Sequence, residues 1–248
     1  MSITRNSSEG GTDAVTVTTG NSGGGSGNAW DTVSLNGGDV EYDSAQFAHG
    51  VLSHLFQPLT GAITEVRRNF PTPDTTAMLS FYIRTLAAPF SVTSTIAQLR
   101  HGSAATGFVQ LMDTTQRFRV QEVGGLSVFT SATLANSTWY RCELREIMGT
   151  ATNNGTLQFA YYTLAAPTTP VETPYSSAVR NTGIIATHTN YQNCRYGRCS
   201  SATSDVTTFN MDSFQELTGA DAASLGVDWP PVPPAASVPL VYTATGWR

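Results

Sequence analysis

The chain has 248 residues, a net charge of -5, an isoelectric point near 5.3 and only 12% charged residues. Its basic residues are all arginine and form no run in sequence, which argues against a nucleic-acid partner, because phosphate binding draws on clustered cations. No apolar stretch approaches the roughly 18 residues of a membrane span, and three cysteines are too few, and odd in number, for a disulfide scaffold.

The opening residues, MSITRNSSEGG, lack the apolar centre of a secretory leader, so the chain is expected to be made and folded in a cytoplasm. Residues 1 to 40 are rich in turn formers, with short apolar pieces at AVTVTT and WDTVSL, followed by DVEYD and HGVLSHLF. Short pieces broken by Gly and Asn predict strands and hairpins. The run NSGGGSGNAW at 21 to 30 lacks the lysine and the following helix of a phosphate loop. Too little chain precedes it for a linker between domains, so it is read as a loop folded on the body, with glycine supplying positive φ.

From residue 62 the alternation strengthens. AMLSFYIRT places Leu79, Phe81 and Ile83 on one face, with Met78, Ser80, Tyr82 and Arg84 on the other. TIAQLRHG and GFVQLMD are further strand candidates. RFRVQEV turns Phe118 and Val120 inward and Arg117, Arg119 and Gln121 outward, and GTLQFAYYT groups Leu157, Phe159 and Tyr161. Period two predicts antiparallel sheets with one face in a core and one in solvent. STWYRCELREIMG at 137 to 149 fits a helix through Tyr140, Leu144 and Ile147. It fits a strand equally well, with Tyr140, Cys142 and Leu144 inward and Arg141, Glu143 and Arg145 outward, and its all-β surroundings favour the strand.

Residues 219 to 248 differ in composition: Pro230, Pro231, Pro233, Pro234 and Pro239 exclude helix and favour an extended arm. Its apolar side chains suit packing on the chain's own domain and docking on a neighbour equally well.

Motifs with chemistry are sparse. Glu143 and Glu146 would point to opposite faces of a strand, which spoils a glycosidase pair and leaves them as solvated partners of Arg141 and Arg145. Cys194 and Cys199, with His188 upstream, lack a fourth ligand for zinc and read as free thiols in a hairpin loop; Cys142 reads as a small core residue. Asp31, Asp39, Asp43 and Asp212 are carboxylates available to calcium, without a calcium-loop spacing. Trp30, Tyr175, Tyr191 and Tyr196 sit in loop-like surroundings and form a candidate sugar-stacking set.

Three stretches carry a resemblance: YDSAQFAHGVLSHLF, STWYRCELREI and FNMDSFQEL resemble strands of concanavalin A-like, laminin G-type jelly rolls. GNSGGGSGNAWDTVS and the proline-rich end with YTATGWR are similar to virion proteins of phages that infect actinobacteria. The resemblance implies an all-β, two-sheet antiparallel jelly-roll sandwich over residues 1 to 218, with the turn-rich N-terminal segment packed on it and an extended C-terminal arm at 219 to 248. It implies a non-enzymatic protein of the virion, of minor tail or capsid decoration type and homo-oligomeric, which joins other virion proteins through Trp229, Pro230, Pro231, Leu240, Tyr242 and Trp247. Glycanase members carry a Glu-x-Asp-x-x-Glu strand that this sequence lacks, so no catalytic residue, cofactor or metal ligand carries over. A module binding a host-envelope glycan is the alternative reading, and a glycan-cleaving enzyme comes after both.

Overall fold

The computed structural model describes residues 2–25, 27–86, 92–122, 126–150, 154–177, 189–200 and 207–226. The chain opens with β1 (Ser2–Asn6), β2 (Thr32–Ser34), β3 (Asp39–Asp43), β4 (Ser53–Gln57), β5 (Thr64–Asp74) and β6 (Thr76–Arg84). It continues with β7 (Ser94–His101), β8 (Ala104–Leu111), β9 (Phe118–Glu122), β10 (Ser127–Thr130) and β11 (Trp139–Ile147). Then follow β12 (Thr156–Thr163), β13 (Ala166–Pro170), β14 (Tyr175–Ser177), β15 (Tyr191–Arg198), β16 (Phe209–Thr218) and a 3-10 turn at Gly219–Ala222.

These strands form two antiparallel sheets packed as a jelly-roll sandwich. Sheet A runs β13-β12-β11-β6-β16-β4-β3, with β1 also paired to β16 and β14 to β12; sheet B runs β10-β9-β8-β7-β15-β5-β2. The alternation read from sequence sets the register. Leu79, Phe81 and Ile83 lie opposite Leu144, Cys142 and Tyr140, and Leu144 and Cys142 lie opposite Phe159 and Tyr161. Residues 139 to 147 are therefore strand, and their inward side chains are core. From sheet B, Val66, Leu99, Val109, Phe118 and Val120 complete the filling. Edge-on ring contacts join the layers, Phe81 to Tyr196 at 5.5 Å and Phe118 to Tyr161 at 5.4 Å.

The glycine run is a folded loop. Asn6 donates to the Ser22 carbonyl at 2.7 Å and to that of Asn28 at 3.0 Å. Arg68, enclosed between the sheets, donates to the carbonyls of Asn28 and Ala29 and lies 3.6 Å from Glu216. Gly27 has φ 106, and a Cβ there would sit 2.6 Å from the Arg5 carbonyl oxygen, so the loop closes only with glycine.

One expectation is corrected here. The outer face of β6 was to be solvated, yet Met78, Ser80 and Tyr82 are wholly buried. Two segments lie over the middle of sheet A. The amides of Ala48 and His49 donate to Asp212 at 2.9 Å, and the His49 ring stands edge-on to Tyr82 at 4.6 Å. After β16 the chain turns back, packing Ala222 and Leu225 on Met78 and Leu217. The Gly226 amide then donates to Glu143 at 2.6 Å. Arg141 and Glu143, expected as solvated partners, instead form a fully buried pair at 3.3 Å, with the Arg141 guanidinium 4.3 Å above the Tyr162 ring. Residues 227–248, including Trp229, Pro230, Pro231, Leu240, Tyr242 and Trp247, lie outside the described residues, as does His188.

Candidate functional site

The aromatic set chosen from sequence is not a sugar platform. Trp30 is 1% exposed: its indole donates to His54 at 3.0 Å, meets Phe214 edge-on at 5.0 Å and lies beneath Arg68. Burial lowers the His54 pKa to about 3, so its imidazole is neutral and accepts that hydrogen bond. Tyr191 and Tyr196 are buried in the same core, and half-buried Tyr175 leans on Phe129. These residues sit in loop-like sequence, but their rings fill the space between the sheets, which local pattern does not report.

The cysteine and aspartate readings are also resolved. Cys194 and Cys199 are free thiols, as expected, but Cys194 points into the core from β15 and Cys199 follows that strand directly, so neither is in a hairpin loop. Burial raises both thiol pKa values. Asp39 and Asp43 lie on edge strand β3, Asp43 accepts from Asn210 at 2.7 Å, and Asp212 is held by loop amides. Among the described residues no cluster of three potential metal ligands occurs.

The polar side chains that do converge stand on the outer face of sheet B. On β5, Val66 points inward, so Glu65, Arg67 and Asn69 point outward. On β15, Cys194 and Tyr196 point inward, which turns Asn193 and Arg195 outward; on β7, Ala97 and Leu99 do the same for Gln98 and Arg100. Register aligns these in rows across three adjacent strands: Arg67 opposite Arg195, Arg195 opposite Gln98, and Asn193 opposite Arg100. The next strands continue the face with Phe108 and Gln110 on β8 and Arg119 and Gln121 on β9.

Three guanidiniums thus surround one carboxylate, and all four side chains are partly held. Arg195 bonds Glu65 at 2.8 Å, Arg67 donates to Thr32 at 3.0 Å, and Arg100 donates to Gln98 at 2.6 Å. Several polar atoms are left over: the Nε of Arg67, Arg100 and Arg195, the second oxygen of Glu65 and the Asn193 carbonyl have no hydrogen-bond partner. Burial raises the Glu65 pKa against the opposing pull of Arg195. Burial and then the Arg195 charge lower that of Arg100. Buried unpaired donors are costly, and a planar anion meets that cost by accepting from them in a fork. The basic cluster was invisible as a run because its arginines come from strands far apart in sequence. The signal that finds it is the alternation in TEVRRN, AQLRH and NCRYGR, once the inward residues are fixed.

No family model matches the sequence, and no curated protein matches it. Solved structures share the fold. Alginate lyase Aly36B, solved with an alginate tetrasaccharide, is similar at 14% identity with a TM-score of 0.60, over 88% of this chain and 97% of that one. The marine PL-14 alginate lyase from Aplysia kurodai is similar at 11% identity and TM-score 0.52, over 73% and 87% of the two chains. Alginate lyase vAL-1 from Chlorella virus is similar at 10% identity and TM-score 0.51, over 77% and 93%. These matches establish the jelly roll, and because the three are alginate lyases they overturn the expectation of a non-enzymatic virion component.

Proposed function

We propose that the protein binds an acidic polysaccharide across the outer face of sheet B and cleaves it by β-elimination. The observation that carries this reading is the convergence of Arg67, Arg195 and Arg100 from three neighbouring strands, with Glu65 among them. A uronate polymer such as alginate offers one carboxylate per sugar, and three guanidiniums gathered on one face match that charge. The fold shared with alginate lyases supports the same class of substrate.

The chemistry follows from the groups present. A uronate C–H next to the carboxylate is a weak acid, and hydrogen bonds from Arg195 and Arg100 stabilise the negative charge that develops on the carboxylate when that proton leaves. A base then takes the proton, the C–H electron pair forms the new double bond, and the glycosidic C–O bond breaks with its oxygen taking up a proton from solvent water. Glu65, whose pKa burial raises, is the carboxylate set among these guanidiniums and accepts the proton. Hydrolysis would ask for two carboxylates astride the bond; three cations around one carboxylate suit elimination.

Incubation with polyuronates, followed by the ultraviolet absorbance of unsaturated ends, tests the reading. Product is expected from the wild type, with loss of at least a hundred-fold for Arg100→Ala or Arg195→Ala, on the scale of a lost charge-stabilising donor. Glu65→Gln is expected to bind substrate and release almost no product. No product and no retention of the wild type on a polyuronate gel would overturn it; retention without product would leave a binding module in its place.

A further inference from the structure

The outer face of sheet B carries one aromatic side chain that the cation cluster does not explain. Phe108 lies on β8 between inward-facing Gly107 and Val109, half-buried and outside the core cluster. Directly across from it stand Gln98 on β7 and Gln121 on β9. Gln98 in turn lies opposite Arg195 and accepts from Arg100. Phe108 is therefore a flat apolar surface bordered by amides, one strand away from Arg100 and two from Arg195.

That spacing has a meaning for a linear polymer. Neighbouring strands lie about 4.8 Å apart, close to the length of one pyranose unit along a chain. A polysaccharide crossing the strands, with one carboxylate at Arg100, would bring its next ring over Phe108. A sugar ring has an apolar C–H face and a rim of hydroxyls. An aromatic plane receives the face, and amide side chains receive the rim.

Resting on the proposed polyuronate activity, we infer that Phe108 is the stacking platform of a neighbouring sugar subsite, with Gln98 and Gln121 as its hydroxyl partners. The subsite sets affinity for chains longer than the arginine cluster alone can hold. It takes a pyranose by its apolar face, so it selects for chain length and ring geometry rather than for charge.

The test is calorimetric titration of the full chain with alginate oligosaccharides of two, four and six units. Wild type is expected to tighten as the oligomer lengthens. Phe108→Ala is expected to weaken binding of the longer oligomers about ten-fold, the equivalent of about 1.4 kcal/mol, and to leave the disaccharide unchanged. Phe108→Trp, which keeps a flat ring, is expected to restore the length dependence, and unchanged thermal unfolding shows that each variant is folded. If wild type binds and Phe108→Ala follows the same length dependence, the platform is wrong while the acidic-polysaccharide reading stands. If wild type binds no oligomer, both fall together.

Discussion

At the scale of single residues, the molecule spends buried polar groups in different ways on its two outer faces. On sheet B, Arg100 and Arg195 keep donors that nothing in the protein accepts. On sheet A, Asp212 is enclosed and accepts from the amides of Ala48 and His49, opposite Tyr82. Burial raises its pKa from 3.8 to about 7, outweighing the amides of His49, Ala48 and Ser213 and the Ser8 hydroxyl, which favour the anion. A carboxyl whose pKa is higher folded than unfolded holds a proton that the unfolded chain has already lost. Its contribution is intact below about pH 4 and disappears as pH rises through about 7. Asp212→Asn keeps an acceptor for the amides and removes the titration. The variant is expected to unfold at a higher temperature than wild type at pH 8, with the difference vanishing near pH 4. Melting curves across that range, read by circular dichroism, decide it: an equal gap at both ends would show that the carboxyl does not titrate as described.

At the scale of elements, β15 is the strand on which the candidate site hinges, since it joins β5 to β7 and contributes Asn193 and Arg195. It passes close to the core at Gly197, where φ is 105. A Cβ there would lie 2.4 Å from the Phe56 ring and 2.6 Å from the Thr64 carbonyl oxygen. Gly197→Ala is expected to cost about 2–3 kcal/mol, from backbone strain and displaced core atoms together. It is also expected to weaken polyuronate binding, because Glu65 is paired opposite this position. A shift of the urea midpoint measures the first effect; a midpoint equal to that of wild type would show that β15 has room to spare.

The same scale shows which parts of the structure could be read in advance. The strands at 76 to 84, 118 to 122 and 156 to 163 were legible because one apolar set alternates with one polar set, and that pattern fixes both element and inward face, whereas 139 to 147 suited helix and strand alike and was decided by its all-β surroundings. Alternation tells which side a residue leaves the strand, but not what waits there. Arg141 and Glu143 leave β11 outward as read, and still end up buried beneath a returning segment. The same limit explains Trp30: its neighbours are loop-forming, yet its indole is held by His54 and Phe214 from a different sheet. The arginine cluster needed the strand order, because only the pairing of β5, β15 and β7 makes Arg67, Arg195 and Arg100 neighbours.

At the scale of the whole molecule, the sandwich is closed on one side by its own chain. Residues 219 to 226 cover Met78 and Leu217 and hand an amide to Glu143. A chain ending after Thr218 is expected to be about 2–4 kcal/mol less stable than one ending after Gly226, through lost apolar cover and the lost amide bond to Glu143, whose oxygen keeps the Tyr162 hydroxyl. Thermal unfolding of the two truncations side by side tests this, and equal melting temperatures would mean that the returning segment adds nothing.

The pairing of β1 with β16 places the first and last strands side by side in sheet A, on the layer away from the arginines. A tether fused ahead of β1 therefore leaves from sheet A, the back of the molecule. Fixed to a resin or a particle by that route, the protein would present its arginine-bearing layer outward to a polymer arriving from solution.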